Sequence, residues 1–409
     1  MVVFCYDLRL VVVDQESGSL TDAVSIGLLA RVFPARVVDA AVDRCGVREK
    51  LNRALPARLM VYFLLACWLW SDRGYVRVLR ELVAGLRWAH GGYAGWKLPY
   101  DGSISKARVR LGDAVMADLF AGCRGPVGRD GDPGVFYAGL RVCAVDGTVF
   151  DLERTAENLA CFEVPPGGWF PQVRLVALVE CGTLAVIDAA HDSIKVGERE
   201  LAERMLPGMG AGMLVLADRG FPSLGLCRKI ADTGAHFAIR VTSNYRLDPT
   251  RRLPDGTYLS ELLGEGKGRS EPMTVRVVEF SIKDPEAGIS EVFALVTSLT
   301  DHERYDAEDI ARLYPRRWRA ETLIEILKID IRGTHATFRS KTPAMVRQET
   351  YALLCTYQAI RQVIDQAARQ AGCDPARISF PPALDAVRAS VATAISPLDT
   401  HHGVPVPGR

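Results

Sequence analysis

Long apolar runs, paired cysteines and an excess of either charge are all missing from this 409-residue chain. The longest apolar stretch, Leu59 to Trp70, is too short to span a bilayer and fits a buried helix. Asp7 and Arg9 stand where a secretory signal needs an apolar core, so neither a membrane nor an export route is expected. The ten cysteines are scattered, with no C-x-x-C pair and no close Cys/His cluster. That argues against a zinc site and against a disulfide framework. Cys67, Cys143 and Cys355 lie in apolar runs and read as small buried hydrophobes, which suits a reducing cytoplasm. No internal repeat is visible. With 50 Lys and Arg against 49 Asp and Glu, there is no global basic signal for nucleic acid.

What is present is an ordinary globular composition, with enough length for two or three domains. Residues 1–18 read as a loose or strand-like arm. Leu20 to Trp88 reads as helical: a segment holding Leu28, Leu29, Val32 and Phe33 that stops before Pro34, then Ala35 to Cys45, Pro56 to Trp70 and Tyr75 to Trp88. The third is apolar almost all round, as a core helix is. A loop with Gly91, Gly92, Gly95 and Pro99 leads to SISKARVRLGDAVMADLF, which Ser103 or Ser105 can cap and whose first turns carry Lys106, Arg108 and Arg110. These helices fit a plain bundle or a helical DNA-binding module.

Residues 122–136, rich in Gly, Asp and Pro, read as a linker. Then β character begins. Leu140 to Leu152 contains Asp146. Val173 to Glu180 and Leu184 to Ala190 flank a hairpin signal at Cys181-Gly182-Thr183. A helix, Val196 to Leu206, presents Glu198, Glu200, Glu203 and Arg204 outward. The strand Met213 to Ala217, the helix Pro222 to Thr233 and the strand His236 to Val241 follow, with Asp218 just after the first of these. The order β-β-β-α-β-α-β is that of a ribonuclease H-like sheet, whereas a doubly wound sheet alternates from its start. Residues 242–300, with turns at Leu253 to Gly256 and Gly264 to Gly268 and β runs at Val275 to Ile282 and Val292 to Leu299, read as a β-rich insertion. Helices resume at Asp306. Pro343 to Ala368 is one long helix, and Ser396 to Arg409 a frayed tail.

The centre of the chain is Tyr314 to Lys328, YPRRWRAETLIEILK. Pro315 can open a helix there. Arg317, Glu321, Glu325 and Lys328 then share one stripe, and Leu323, Ile326 and Leu327 take the opposite, buried side. Such a helix by itself is a solvated face laced with ion pairs. Around it, from Arg312 to Arg347, nine Lys or Arg residues stand against three acids, an excess suited to a polyanion. A lone aspartate at a strand end is a loop cap. Asp146, Asp218 and Glu321 on two strands and a helix are what a two-metal phosphoryl-transfer site needs, since Mg²⁺ takes hard oxygen ligands.

The chain resembles the DDE transposases of bacterial insertion sequences, specifically the insertion sequence 4 family. That family's signature is Tyr, two residues, Arg, three residues, Glu, six residues, Lys, and Tyr314, Arg317, Glu321 and Lys328 match it. Trp318, Asp-Gly-Thr at Asp146, Ala-Asp-Arg-Gly-Phe at Asp218, FRSKTP (Phe338 to Pro343) and LLARVFPARVVDAAV also resemble its motifs, so the likeness covers nearly the whole chain. Pro315 is a departure bearing on how Tyr314 is presented. The resemblance implies an α/β fold: a ribonuclease H-like catalytic core (137–345) interrupted by the β-rich insertion (242–300), after a helical DNA-binding domain (1–130) and before a helical region (346–409).

It also implies a reaction. Asp146, Asp218 and Glu321 would hold two Mg²⁺ ions, or Mn²⁺ in their place. The double-stranded DNA of the element's inverted repeats would be nicked, passed through a hairpin and joined to target DNA by a homodimer at the nucleoid. Arg317, Lys328 and Tyr314 would contact phosphates and Trp318 a flipped base. A nuclease without strand transfer and an inactive DNA-binding descendant are the alternatives. His191-Asp192 reads as a hydrogen-bonded turn, His335 has no partner at ligand spacing, and His401 and His402 lie in the tail.

Overall fold

The computed structural model describes residues 26–50, 54–83, 98–242, 245–263, 271–283, 290–333 and 337–393. The arm at 1–18, Gly91 to Gly95, the end of the helix at Trp88, Gly264 to Gly268, His335 and the tail from Ser396 lie outside them. Among the described residues, no helix is long and apolar enough to cross a membrane.

The N-terminal part is built of α1 (Ala35–Arg44), α2 (Ala57–Leu69), α3 (Tyr75–Val83), α4 (Asp101–Leu111) and α5 (Ala114–Cys123). Pro34 and Pro56 stand at the caps of α1 and α2, where a missing N–H costs nothing. All but one residue of α2 are buried, as an all-round apolar helix requires. Two expectations fail here. The helix expected to begin at a serine begins at Asp101, with no side-chain cap. The run read as one helix is two, because Gly112 takes φ +73° between them.

Among the described residues, eleven strands form one sheet, whose main path runs β4-β3-β2-β5-β6-β10-β9-β8-β7. Here β2 is Leu140–Leu152, β3 Gln172–Glu180, β4 Val186–Ser193, β5 Met213–Ala217 and β6 His236–Val241. The three strands β2, β3 and β4 pair antiparallel, then β5 and β6 add in parallel. This is the ribonuclease H-like order, with α6 (Ala156–Phe162) as an extra helix after β2 and α7 (Glu198–Arg204) and α8 (Leu224–Asp232) as the crossovers. The strands of the β-rich segment, β7 (Arg251–Arg252), β8 (Tyr258–Leu262), β9 (Met273–Lys283) and β10 (Ser290–Thr297), do not stand apart. β10 pairs with β6, so they extend the same sheet. β1 (Phe136–Tyr137) and β11 (Thr337–Phe338) both pair with β2.

Alternation along β2 assigns the two faces. Val142, Ala144, Phe150 and Leu152 join a core shared with α1 to α5, with α11 (Pro343–Ala371) and with α12 (Phe380–Thr393). Cys143 and Val145 join a second core under α7 and α8. The Gly/Asp/Pro-rich linker is stitched down. Val127 and Gly128 donate their N–H groups to the fully buried Glu180 carboxylate at 3.2 and 2.7 Å, and Arg141 closes an ion pair with it. Paired in this way, Glu180 avoids the several kcal/mol that a bare buried charge costs.

Candidate active site

Register places the two aspartates. Val145 of β2 lies beside Ala217 of β5, the last pair of these parallel strands, so Asp146 and Asp218 are the next residues on each. Both fall on the face that carries the first core. The Gly147 N–H donates to Asp146 Oδ1 at 2.8 Å. The Asp146 pKa is pushed up to about 6, first by burial, with Glu321 and Glu198 adding to it and the Gly147 N–H and Arg317 opposing. Asp218 opens a turn in which Phe221 donates to its carbonyl at 3.0 Å, and its side-chain Oδ1 is buried with no hydrogen-bond partner.

Over the two strand ends runs a helix of three geometries. After α9 (Ala307–Leu313), Tyr314–Arg317 is a 3₁₀ turn with Pro315 near its start. α10 (Trp318–Glu325) is α-helical and packs on β2 and β3. Ile326–Ile331 is a π-helix. The wider π turn breaks the expected stripe. Glu321 and Glu325 stay exposed, whereas Lys328 is half-buried with Nζ 5.9 Å from the centroid of Phe150 on β2. Burial and Arg332 lower the Lys328 pKa, with Asp151 opposing. Leu323, Ile326 and Leu327 are buried as the pattern requires.

Tyr314 is 4% exposed and donates its hydroxyl to the Ala217 carbonyl at 3.2 Å, pinning the end of β5 next to Asp218. Burial pushes its pKa up, and Asp218 adds to that. The Tyr314 hydroxyl thus faces the protein, whereas the resemblance implies a phosphate contact for it. Arg317, 7% exposed, pairs with Glu321 at 2.8 Å. Burial lowers its pKa, but Tyr314, Asp218 and Glu321 outweigh it and the net shift is upward. Trp318, by contrast, is 50% exposed.

In the N-terminal part, Lys106 and Arg110 are exposed, and Arg110 donates to the Leu55 carbonyl at 2.6 Å. Arg108 is 1% exposed and donates to Gln348 Oε1 and Ser340 Oγ at 2.9 Å, to the Met345 carbonyl at 3.3 Å and to the Tyr75 hydroxyl. Four of its five donors thus face the interior, and Arg108, counted with Lys106 and Arg110 among the basic residues of a DNA-binding module, ties helices together. His191 is no turn residue either. It lies in β4, edge-on to Tyr351, with Nε2 buried and unpartnered.

Among the described residues, no group of three His, Cys, Asp or Glu side chains stands close enough to hold a metal ion. Glu321 is turned to Arg317. The two aspartates nonetheless suit a hard cation: one buried oxygen without a donor, and one carboxylate whose burial resists charge. One carboxylate was misjudged from sequence. Glu198, expected outward, is half-buried against Gly147. The Asp-Gly step on β2 is the only hint in the sequence that a side chain could come so close.

Residues 23–121 match the family described as Insertion element 4 transposase N-terminal, and residues 137–358 match Transposase DDE domain. The chain is 28% identical over 356 residues to the transposase InsG of insertion sequence element IS4 from Escherichia coli K12, covering 83% of this chain and 78% of that one. A putative transposase for insertion sequence element IS4SA from Synechocystis is 26% identical over 199 residues, 47% of this chain and 52% of that one. Among solved structures, a piggyBac transposase synaptic complex with hairpin DNA aligns at a TM-score of 0.47 and 10% identity, covering 93% of this chain and 78% of that one.

Proposed function

The chain belongs to the DDE transposases of the insertion sequence 4 family, and from that premise we propose how it acts. It cuts DNA at the inverted-repeat ends of its own element and joins the freed ends to target DNA, with Asp146, Asp218 and Glu321 holding Mg²⁺. The observation that carries this reading is the register of β2 and β5, which sets Asp146 beside Asp218 beneath the helix bearing Arg317 and Glu321.

Two bound Mg²⁺ ions, or Mn²⁺, supply charge neutralisation at the attacked phosphate and activation of the attacking oxygen. The protein's own part is positional. Asp146 offers oxygens from β2 and Asp218 from the turn that follows β5. Glu321, 51% exposed in its side chain, reaches them by leaving Arg317. The guanidinium so released takes phosphate oxygens, in a two-pronged contact that suits its fork. Lys328 adds positive charge along β2, and Trp318 offers a face to an unstacked base.

Each step is a displacement at phosphorus. In the first, a water oxygen bonds to phosphorus, the bond to the 3′ oxygen breaks, and that oxygen leaves as a 3′-hydroxyl. In the second, that hydroxyl attacks the phosphorus of the opposite strand and closes a hairpin, and the bond to the flanking strand's 3′ oxygen breaks, freeing it as a hydroxyl. Water then attacks the hairpin phosphorus and releases the element's 3′-hydroxyl again. In the last, that 3′-hydroxyl attacks a phosphorus of target DNA and the target strand's 3′ oxygen leaves as a hydroxyl. A homodimer would bridge the two ends.

The test is a labelled duplex carrying the repeat boundary, incubated with Mg²⁺ and either the native protein or Glu321→Gln. A nick at the boundary, then a hairpin, both absent with the variant, is the expected result. Cleavage with no joining of a pre-cut 3′ end would mean a nuclease. Repeat-specific binding with no cleavage would mean an inactive DNA-binding protein.

A further inference from the structure

We propose that Glu198 is a fourth carboxylate of the cation site, reaching it from the far face of the sheet through the gap left by Gly147. The inference rests on the cation-holding role of Asp146 and Asp218. Gly147 follows Asp146 on β2, so a side chain there would point to the face opposite Asp146, under α7. A Cβ at Gly147 would stand 2.7 Å from Glu198 Oε1, 3.0 Å from its Cδ and 3.2 Å from its Cγ. Real Cβ atoms do not come so close, so the strand has room for this carboxylate only because residue 147 has no side chain. The other oxygen, Oε2, lies 3.7 Å from where a Cβ on Gly220 would be, in the turn that Asp218 opens. Glu198 therefore spans from the Asp146 step of one strand to the Asp218 turn of the next.

Among the described residues, no donor or cation pairs with Glu198. A half-buried carboxylate ordinarily takes a donor or a cation. The other acids of α7 do: Glu200 pairs with Arg204 at 3.0 Å and Glu203 with Lys229 at 2.7 Å. Arg199, next to Glu198, donates to the Gly220 carbonyl at 3.0 Å. Glu198 is held against backbone beside a carboxylate that it repels. Its neighbour Asp218 keeps an oxygen buried and unpartnered. A divalent cation relieves all three at once, and Mg²⁺, which keeps several waters, can be shared with a carboxylate beyond its direct ligands.

The test is a Mn²⁺ titration of the full chain without DNA, followed by electron paramagnetic resonance, for the native protein and for Glu198→Gln, Gly147→Ala and Asp146→Asn. Glu198→Gln is expected to weaken Mn²⁺ binding about tenfold, the lower end of what lost outer ligands cost. Gly147→Ala keeps every carboxylate but puts a methyl group where the Glu198 carboxylate sits, and is expected to weaken binding likewise. Metal-free melting curves establish that each variant is folded, and Glu198→Asp, one methylene short, replaces Glu198→Gln if that variant is not. Native-like Mn²⁺ affinity in the folded Glu198 variant, beside a loss in Asp146→Asn, overturns the role of Glu198 alone. Native-like affinity in Asp146→Asn overturns the cation site on which it rests.

Discussion

α4 and the helical run from Tyr314 to Ile331 look alike on paper. Each is a helix with arginines and a lysine beside apolar residues, and each holds one arginine that the structure buries. The two arginines do opposite things. Arg108 reaches a glutamine, a serine, a tyrosine hydroxyl and a carbonyl, so it joins α4 to α3 and α11. Arg317 reaches the exposed Glu321 beside Asp218, at the edge of the candidate site. A buried cation among neutral acceptors is a fastener. A buried cation among acids is placed to serve a site, which is the role proposed for Arg317. The difference lies in the partners, and the partners come from other segments of the chain.

The contrast predicts separable failures. Arg317→Ala should slow Mg²⁺-dependent cleavage by about 10²–10³-fold, the usual effect of losing one preorganised charge donor, and move the melting temperature little. A rate within a factor of two of native in a nicking assay would remove Arg317 from the site. Arg108→Ala should do the reverse, costing about 3 kcal/mol of stability through the acceptors it leaves unsatisfied, with an unchanged rate per folded molecule. Arg108→Lys should not restore it, because a point charge cannot replace the fork. Urea melts decide the matter, and weakened DNA binding with native stability would return Arg108 to the surface.

Trp318, on the exposed side of the same helix, should behave as a pure surface contact. Trp318→Ala should change stability by no more than about 0.5 kcal/mol and lose about 1–3 kcal/mol of base stacking. The loss would be read as a smaller fluorescence change from 2-aminopurine at the repeat boundary.

A further test concerns His191, a half-buried residue whose ring Nε2 is buried without a hydrogen-bond partner among the described residues. Burial lowers its pKa to about 4, against the usual 6.5, so between these values the unfolded chain binds more protons than the folded one. Stability is therefore intact above pH 6.5 and is lost as pH falls toward 4, by about 3 kcal/mol. His191→Gln should flatten that limb of a stability curve measured from pH 7 to pH 4.5. An unchanged limb would assign the acid sensitivity elsewhere.

Strands were legible where β-branched runs are bounded by turns. Leu140–Leu152, Met213–Ala217 and His236–Val241 begin and end where their patterns do. Side-chain partners were less so. Helical periodicity placed Leu323 and Leu327 inward, but it presumed 3.6 residues per turn and so missed the π turn that carries Lys328 to Phe150. The same periodicity sent Glu198 outward. It describes a helix in water, and not the strand with a missing side chain on which that helix rests.

Family and sheet order were contained in the order of residues, because strand patterns and motif spacings are local. Folding was needed to reveal that β10 closes onto β6, so that the β-rich segment prolongs the catalytic sheet. It was needed again to bury Tyr314 under Ala217 and to show that Arg108 and Arg317 answer to different partners. Those facts depend on residues up to about 240 positions apart meeting in a low-dielectric interior. There the choice of neighbour, more than the kind of residue, sets what a charge can do.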